Sequence, residues 1–297
     1  ILIADFKDDA SSLLKGTKNT KINIKYLRQG KPFTTVLVLD EVDIKSVPFY
    51  GKIDDKTGYI VLSQFNAKAS AETKEALEKL KKDGAERIIL DLRGNPGGLL
   101  GEAVNICNLF VPPGETIVTT KSHIEKHNNT YRTSKPAVDT EIPLVVLVDG
   151  RSASASEIVA GALQDLDRAV VVGARSFGKG LVQQPIQLSD GSELRLTISR
   201  YYIPSGRSIQ KPYQKGHLEN YENELDERGK SGEFFIADSI KNNPKMRFKT
   251  KGGRTVYGGG GVTPDIFVPR DTSHITKYLL ELYGKNILRE YALSYAN

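Results

Sequence analysis

From residue 58 onward, short apolar segments alternate with longer segments whose apolar residues recur at helical spacing. The clearest short segments span residues 59–62, 88–92, 144–148 and 169–172. Strands that alternate with helices are typical of a parallel or mixed sheet covered by helices. We therefore predict an α/β (α+β) fold. No block of about 20 to 50 residues recurs, which argues against a solenoid.

The segments around these strands have the spacing and the ends expected of helices. One helix is predicted at about residues 70–84, and another ends at the Pro-Pro-Gly sequence of residues 112–114. A further strand is predicted at residues 193–200. Residues 218–254 are predicted to be a charged, irregular excursion, and residues 275–295 to form one amphipathic helix.

Residues 1–45 have a different pattern and are predicted to form a small separate unit. A helix at residues 8–14 precedes a hairpin, with a first strand at about residues 22–26, a turn at residues 29–31 and a return strand at residues 33–39. One helix and two strands are too few for a stable domain. We expect this unit to be the second half of a module that begins upstream.

The composition is that of a globular protein, with 39% apolar and 26% charged residues, which excludes a disordered chain. The net charge of +6 comes from interspersed basic and acidic residues, which is only a weak argument for nucleic-acid binding. No apolar run approaches the ~20 residues that span a bilayer. Cys107 is the lone cysteine, so it cannot form an internal disulfide. Because the chain begins at Ile1 and its only methionine is Met246, we expect any signal segment to lie upstream.

The loop after the apolar segment 144–148 is rich in small and hydroxylated residues, with the sequence SASASE at residues 152–157. Small residues let a ligand approach the backbone, and the helix that follows directs its first amides toward that ligand. A serine hydroxyl is well placed there as a nucleophile. The same residues also fit a structural role, in which Ser152 or Ser154 caps the helix and Glu157 completes a capping box with Ser154.

The loop after the segment 169–172 places a lysine between two glycines, in the sequence FGKG at residues 177–180. A solvated lysine is protonated at neutral pH and cannot act as a base. In an apolar cleft beside a hydroxyl, desolvation favours the neutral amine, which can then deprotonate the hydroxyl. The alternative is an ordinary surface lysine in a flexible loop.

The loop after the segment 88–92 contains the sequence RGNPGG at residues 93–98. Gly97 and Gly98 leave their backbone amides accessible to a developing oxyanion, and the amide of Ala155 could supply a second donor. The same sequence also fits a tight turn between a strand and a helix.

Together, the three loops resemble the signature blocks of the carboxy-terminal processing proteases, the tail-specific serine peptidases of family S41. The blocks are LRGNPGG at residues 92–98, SASASE at residues 152–157 and FGKGLVQ at residues 177–183. In that family, the nucleophile is the middle serine of the serine-alanine repeat. The base is a lysine 25 positions later, and a glutamine follows the lysine by four positions.

The spacing of this chain fits that arrangement. The resemblance implies that Ser154 is the nucleophile, that Lys179 is the base and that Gln183 orients the lysine. It also implies that the amides of Gly98 and Ala155 form the oxyanion hole.

The resemblance covers about residues 8–270, including the sequence YGGGGVTPD at residues 257–265. It implies a protease core at residues 46–270 that is similar to the crotonase and caseinolytic-protease superfold. Residues 1–45 then correspond to the carboxyl-terminal part of a PDZ domain, and residues 271–297 to a C-terminal helix. In the family, the PDZ domain binds substrate tails by strand addition and gates the protease site.

The function implied by the resemblance is that of a serine endopeptidase that recognises protein carboxyl-terminal tails and cleaves with a Ser-Lys dyad. No metal ion and no cofactor are implied. The expected partners are protein substrates with apolar carboxyl termini, and no nucleic acid is expected. An activating adaptor or lipoprotein and a homo-oligomeric state stay open. A periplasmic or cell-envelope location is expected, because bacterial members of the family usually work outside the cytoplasm.

Two other functions remain as alternatives. A peptide-binding scaffold on an inactive protease fold would not require the serine, the lysine, the glutamine and both oxyanion positions together. A crotonase-like acyl-thioester enzyme would use paired oxyanion amides and a carboxylate, with no serine-lysine pair. Reaction of Ser154 with a serine-directed acylating reagent would separate this second alternative from the protease.

Motifs of three other catalytic classes are incomplete in this sequence: those of penicillin-binding proteins, zinc proteases and Ser-His-Asp hydrolases. Ser176 and Lys179, like Ser208 and Lys211, have the serine-lysine spacing of penicillin-binding proteins, but no Lys-Thr-Gly sequence occurs. The sequence HIEKH at residues 123–127 places its glutamate one position too late for a zinc-protease helix. No histidine lies in the three loops, which argues against a Ser-His-Asp triad.

Overall fold

The computed structural model describes residues 13–28, 30–213, 216, 218–273 and 275–296. The chain divides into two compact units, Ile1–Lys45 and Ser46–Asn297. The second unit holds the three loops singled out in the sequence.

In its described part, the first unit contains an antiparallel hairpin of strands β1 (Lys21–Arg28) and β2 (Lys31–Val38). Half-buried residues alternate with exposed ones along most of β1, and the predicted hairpin is confirmed. Residues 8–12 of the predicted helix and the turn residue Gln29 lie outside the described residues. The assignment of this unit to a PDZ domain stays a prediction.

The second unit is built on a six-stranded sheet. Its strands are β3 (Phe49–Lys52), β4 (Thr57–Val61), β5 (Arg87–Asp91), β8 (Leu144–Val148), β9 (Val170–Gly173) and β14 (Ile266–Phe267). Their order is β14-β9-β8-β5-β4-β3, with β3 antiparallel to β4 and the other neighbours parallel. The predicted mixed sheet is confirmed, because the apolar segments form adjacent strands.

A four-stranded antiparallel sheet lies in the same unit. Its strands are β6 (Thr116–Lys121), β7 (Asn129–Arg132), β10 (Leu181–Gln187) and β11 (Glu193–Tyr202), in the order β10-β11-β6-β7. Only β11 was predicted. The others are rich in threonine, glutamine or arginine and lack a long apolar run, so their sequences do not stand out as strands.

Three helices pack side by side in chain order: α1 (Ala69–Lys82), α2 (Leu100–Cys107) and α3 (Ala155–Asp165). Helix α3 is buried along its whole length, because it contacts β9 of one sheet and β6 of the other. At the end of α3, Asp165 forms a buried ion pair with Arg207 at 2.9 Å. The helix that begins at the candidate nucleophile is therefore enclosed by the core.

The segment predicted to be irregular is more ordered than expected. It contains helix α4 (Leu218–Lys230) and strand β12 (Arg247–Lys249), which pairs with β13 (Thr255–Tyr257). Short 3₁₀ turns occupy Ala237–Ser239 and Pro244–Met246 of this segment. A further 3₁₀ turn, Glu125–His127, lies between β6 and β7. The high charge of α4 led to the prediction of an irregular segment. The helix nevertheless packs against the protein, because Arg228 is buried and bound to a loop that is distant in the sequence.

The single C-terminal helix predicted from the sequence is wrong. The structure has two helices there, α5 (Lys277–Gly284) and α6 (Ile287–Ala296). The break falls at Lys285 and Asn286, where Asn286 adopts a φ of 59°. Asparagine tolerates this left-handed conformation, which ends a helix, better than most residues. Among the helices of the described residues, none has the length and apolarity needed to cross a membrane.

Candidate active site

The three loops singled out in the sequence follow β5, β8 and β9, which are neighbouring parallel strands. Because the carboxyl ends of parallel strands lie at one edge of a sheet, these loops meet there. Residues 93–98 follow β5, residues 149–154 follow β8, and residues 174–180 follow β9.

Asn95 organises the first loop and joins it to the second. Its side-chain amide donates to the Leu62 carbonyl at 2.7 Å, and its Oδ1 accepts from the Gly97 N–H at 2.9 Å. Its own carbonyl accepts from the Ala153 N–H and from the Ser156 hydroxyl, each at 3.0 Å. Asn95 is fully buried, so all four of these hydrogen bonds are shielded from water.

Gly97 and Gly98 occupy positions that exclude a side chain. Both have positive φ, and a Cβ on Gly97 would lie 2.7 Å from the Ser154 Cβ. A Cβ on Gly98 would lie 2.3 Å from the Phe65 carbonyl oxygen. Within the described residues, the N–H groups of Gly98 and Ala155 donate to no protein acceptor. Two backbone donors are thus left available beside Ser154.

Ser154 begins helix α3 in a strained backbone conformation, with φ at 58°. A positive φ is uncommon for a residue with a side chain and persists only where the surroundings impose it. The Ser154 N–H donates to Glu157 Oε2 at 2.9 Å, as part of a capping box between the two residues. The structural alternative considered for this pair is therefore present.

The same glutamate also holds the lysine loop. Glu157 Oε2 accepts from the Lys179 N–H at 2.8 Å, and Oε1 accepts from the Gly178 N–H at 2.6 Å and from the Ser176 hydroxyl at 2.5 Å. The side chain is completely buried, and burial raises the pKa of its carboxyl while these hydrogen bonds oppose the rise. One carboxylate oxygen thus accepts hydrogen bonds from the backbone amides of both Ser154 and Lys179.

Tyr201 joins the same two residues through their carbonyl groups. The single proton of the Tyr201 hydroxyl is shared between two acceptors, the Ser154 carbonyl at 3.1 Å and the Lys179 carbonyl. The ring is 2% exposed, and burial raises the pKa of the phenol well above its usual value. Glu157 and Tyr201 therefore connect the two candidate catalytic residues from their N–H side and their C=O side.

The outer side of the lysine loop is held by two further elements. Arg228 of α4 donates to the carbonyls of Ser176 and Arg175, at 2.9 and 2.6 Å. A Cβ on Gly261, in the glycine run, would lie 2.6 Å from the Ser176 carbonyl oxygen. The glycines at residues 258–261 therefore let one backbone segment pass close to another, which supports the lysine loop from behind.

The predicted site residues line one cavity of about 540 Å³. We call it the serine-lysine cavity; it includes Gly98, Ser154, Ala155, Lys179 and Gln183. Ser154 and Lys179 are half-buried, whereas Gln183 is exposed beside a β-bulge between Val182 and Gln183. The hydrogen bonds of the described residues include none from Ser154 or Gln183 to the Lys179 amine.

The competing motifs do not form comparable sites. The Ser176 hydroxyl is fully buried and bound to Glu157 and to the Val262 N–H. The Lys211 ammonium is enclosed between aromatic rings of Phe177 and Tyr221, at 4.1 and 4.2 Å from their centroids.

Neither the lone cysteine nor a metal-binding cluster gives a further site in the described residues. Burial raises the pKa of the Cys107 thiol, which lies in the core. Across the described ranges, no cluster of three or more His, Cys, Asp or Glu side chains could hold a metal ion.

Sequence reasoning missed Tyr201 and half of the role of Glu157. Tyr201 was not singled out, since nothing in the strand sequence marks it as a partner of two loops. Glu157 was expected only as a local helix cap. The Ser154-x-x-Glu157 spacing was the sole available signal, and it points to the helix rather than to Lys179.

Comparison with known proteins identifies the family of this chain. Residues 56–219 match the family model of Peptidase family S41. The chain is 37% identical over 272 residues to the carboxy-terminal-processing protease of Bartonella bacilliformis, covering 89% of this chain and 60% of that protein. It is 41% identical over 209 residues to the carboxyl-terminal-processing protease of Synechocystis sp., covering 69% of this chain and 48% of that protein.

A solved structure points the same way. The photosystem II D1 C-terminal processing protease superposes with a TM-score of 0.53 at 26% identity, over 86% of this chain and 57% of that chain. The chain thus spans about half to three fifths of the length of these relatives. The family match extends over more than half of the chain and contains all three loops. The chain belongs to Peptidase family S41.

Proposed function

We propose that this chain carries the catalytic core of a carboxyl-terminal processing serine endopeptidase. The observation that carries the proposal is the serine-lysine cavity, which collects a serine, a lysine and two unused backbone donors. Ser154 acts as the nucleophile and Lys179 as the general base. Membership of the S41 family, with relatives named as processing proteases, supports this reaction class.

In the proposed reaction, the neutral amine of Lys179 removes the proton from Ser154 Oγ as that oxygen attacks the scissile carbonyl carbon. The N–H groups of Gly98 and Ala155 stabilise the resulting oxyanion. The protonated lysine then donates its proton to the leaving amine, which gives an acyl-enzyme. A water molecule, deprotonated by the same amine, releases the acyl group and restores Ser154.

The hydrogen bonds of the site hold the backbones of Ser154 and Lys179, whereas the proposed proton transfer takes place between their side chains. Glu157 and Tyr201 hold the backbones of Ser154 and Lys179, so the main chain need not rearrange. Among the described residues, the two side chains make no hydrogen bond to each other, and a side-chain rotation is proposed to bring the amine to the hydroxyl before proton transfer. Gln183, on the rim of the same cavity, is proposed to orient the lysine after that rotation.

The substrates are proposed to be proteins with apolar carboxyl-terminal tails. The support is the sequence resemblance together with the names of the relatives. A tail-binding role for the first unit, as part of a PDZ domain, and a location outside the cytoplasm belong to the same proposal. A crotonase-like reaction is less well supported, since it would leave the paired serine and lysine without a role.

The proposal is tested by mass spectrometry of an unfolded protein with an apolar carboxyl terminus, incubated with the wild type, Ser154→Ala and Lys179→Ala. Ser134→Ala and Lys126→Ala are matched controls, because both residues are exposed and lie outside the cavity. Cleavage should be lost in the first pair of variants and retained in the second.

Each result has a clear meaning. Cleavage that survives in Ser154→Ala would overturn the assignment of the nucleophile. If no chain cleaves, labelling by a serine-directed acylating reagent separates the two remaining explanations. Labelling of the wild type but not of Ser154→Ala would support a reactive serine, and no labelling would favour the peptide-binding scaffold.

A further inference from the structure

A second, larger cavity adjoins the serine-lysine cavity. It has a volume of about 1030 Å³ and shares Lys179, Leu181 and Gln183 with its neighbour. We call it the cationic cleft, because it is also lined by Lys121 and Arg200. A peptide bound at Ser154 would therefore have direct access to this cleft.

The floor of the cationic cleft is set by strand register. Arg200 on β11 lies opposite Leu181 on β10 and opposite Lys121 on β6. Directly paired residues in a sheet project to the same face, so these three side chains form one row across three strands. Tyr202 lies two residues after Arg200 and therefore on that face, with its ring centroid 5.0 Å from the Lys121 ammonium.

The charged side chains that line the cleft are basic. No aspartate or glutamate occurs among the described residues that line it. Within the same part of the chain, Lys121 and Arg200 form no ion pair. Arg195, on the same strand as Arg200, instead pairs with Glu193 at 2.9 Å. Cations that no carboxylate neutralises produce, in a concave site, a positive potential that attracts an anion.

The walls are aromatic. Phe177, Tyr213 and Tyr221 face the same cavity, and Phe177 directly precedes the loop glycine before Lys179. These rings offer apolar surface to the stem of a bound side chain, while arginine and lysine form charge-assisted hydrogen bonds with a carboxylate. The cleft therefore suits a carboxylate carried on a short, partly apolar stem.

We propose that the cationic cleft binds a carboxylate of the peptide substrate through Arg200 and Lys121. The carboxylate is either the side chain of an aspartate or glutamate near the scissile bond or the terminal carboxylate of the tail. This proposal rests on the proposed peptidase function, because it places the cleft beside Ser154 as a substrate subsite.

The test compares peptides that differ in one carboxylate. One series moves a single glutamate along an otherwise neutral sequence, with glutamine at the same position as its reference. A second pair ends in either a free carboxylate or an amide. The chains are the wild type, the double variant Arg200→Gln/Lys121→Gln, and Lys126→Gln, which removes an exposed charge outside the cleft.

We expect the wild type and Lys126→Gln to prefer one carboxylate peptide over its neutral reference by about tenfold in kcat/KM. The double variant should lose this preference, so that its kcat/KM values for the carboxylate peptide and for its neutral reference become equal within about twofold. Preference within the glutamate series assigns a side chain, and preference within the second pair assigns the chain terminus. A preference that survives in the double variant overturns the proposal.

The two proposals fail in different ways. Loss of all cleavage would count against the peptidase function but not against the cleft. In that case, fluorescence anisotropy with the Ser154→Ala chain measures binding of the same labelled peptides. Equal affinity for the carboxylate and neutral peptides there would overturn the cleft proposal, whereas a preference that the two added cleft substitutions remove would support it.

Discussion

The two residues proposed for proton transfer and the residue proposed to assist them are held in different ways. Ser154 and Lys179 have their backbones tied together by the buried side chains of Glu157 and Tyr201. Gln183 lies on the exposed hairpin of β10 and β11, where its side chain has water on one side. Buried hydrogen bonds are costly to break, whereas exposed ones exchange readily with water.

This difference indicates that the site has a fixed part and an adjustable part. The fixed part holds the backbones of Ser154 and Lys179 near each other before substrate arrives. The adjustable part lies where the serine-lysine cavity and the cationic cleft meet. Substitutions in the first part should therefore reduce turnover more than substitutions in the second.

The largest effect is expected from Glu157→Gln. The carboxylate accepts hydrogen bonds from four donors, and an amide would replace one accepting oxygen with a group that donates toward them. We expect kcat to fall about a hundredfold with little change in KM, measured by steady-state peptide cleavage. Glu125→Gln, an exposed glutamate, is the control. A kcat within twofold of the wild type would contradict the claim that Glu157 holds the backbones of Ser154 and Lys179 in their active positions.

Tyr201→Phe should have a smaller effect. It removes one hydroxyl and leaves the carbonyls of Ser154 and Lys179 without their buried donor. We expect a fall of about tenfold in kcat and a loss of roughly 1 to 3 kcal/mol in the free energy of unfolding. Tyr131→Phe, a tyrosine that packs at the edge of the core, is the control. Lower stability with unchanged kcat would mean that Tyr201 has only a structural role.

Gln183→Ala should cost less still. An exposed hydrogen bond contributes little net free energy, so we expect a fall of only about fivefold in kcat. Gln184→Ala is the matched control, since Gln184 is next on the strand and lines neither cavity. If Gln183→Ala were as damaging as Glu157→Gln, the contrast between the fixed and adjustable parts would be wrong.

The smallest effect concerns stability against pH. Burial raises the pKa of Glu157 above the ordinary value it has in the unfolded chain. Between those two values the folded chain holds a proton that the unfolded chain has lost, so stability falls as pH rises through this window. Glu157→Gln lacks this titration, and its stability should therefore approach or overtake that of the wild type as pH rises.

Urea unfolding of the wild type and Glu157→Gln from about pH 4 upward measures this difference. Titrations common to both chains cancel in the comparison. For the control Glu125→Gln, whose carboxylate is exposed, the difference in free energy of unfolding from the wild type should not change with pH over that window. A stability advantage of the wild type that grows with pH would show that the carboxylate is favoured, not disfavoured, by its surroundings.

The parts of the fold that follow apolar periodicity were predictable. Strand β8 occupies the predicted residues 144–148, and helix α1 lies within about two residues of its predicted ends. Strands β6, β7 and β10 were not found, because their sequences contain no long apolar run and they are stabilised by pairing with neighbouring strands. The break between α5 and α6 was missed because the apolar pattern continues on both sides of Gly284, Lys285 and Asn286.

The candidate site was predictable one loop at a time. The motifs identified residues that the structure gathers around one cavity, although their catalytic roles stay predictions. The connections between the loops were not predictable, because Glu157 reaches Lys179 across 22 positions and Tyr201 reaches Ser154 across 47. Contacts over such separations depend on the whole sheet, and no local pattern encodes them.

The sharing of one carboxylate by two loops has a mechanical consequence. If helix α3 shifts against the sheet, Glu157 moves with it and pulls the amides of Ser154 and Lys179 in the same direction. The separation of the two backbones is then nearly insensitive to such a shear. A small displacement of α3 therefore moves the backbones of Ser154 and Lys179 together, and their side-chain torsions then set the distance between the hydroxyl and the amine.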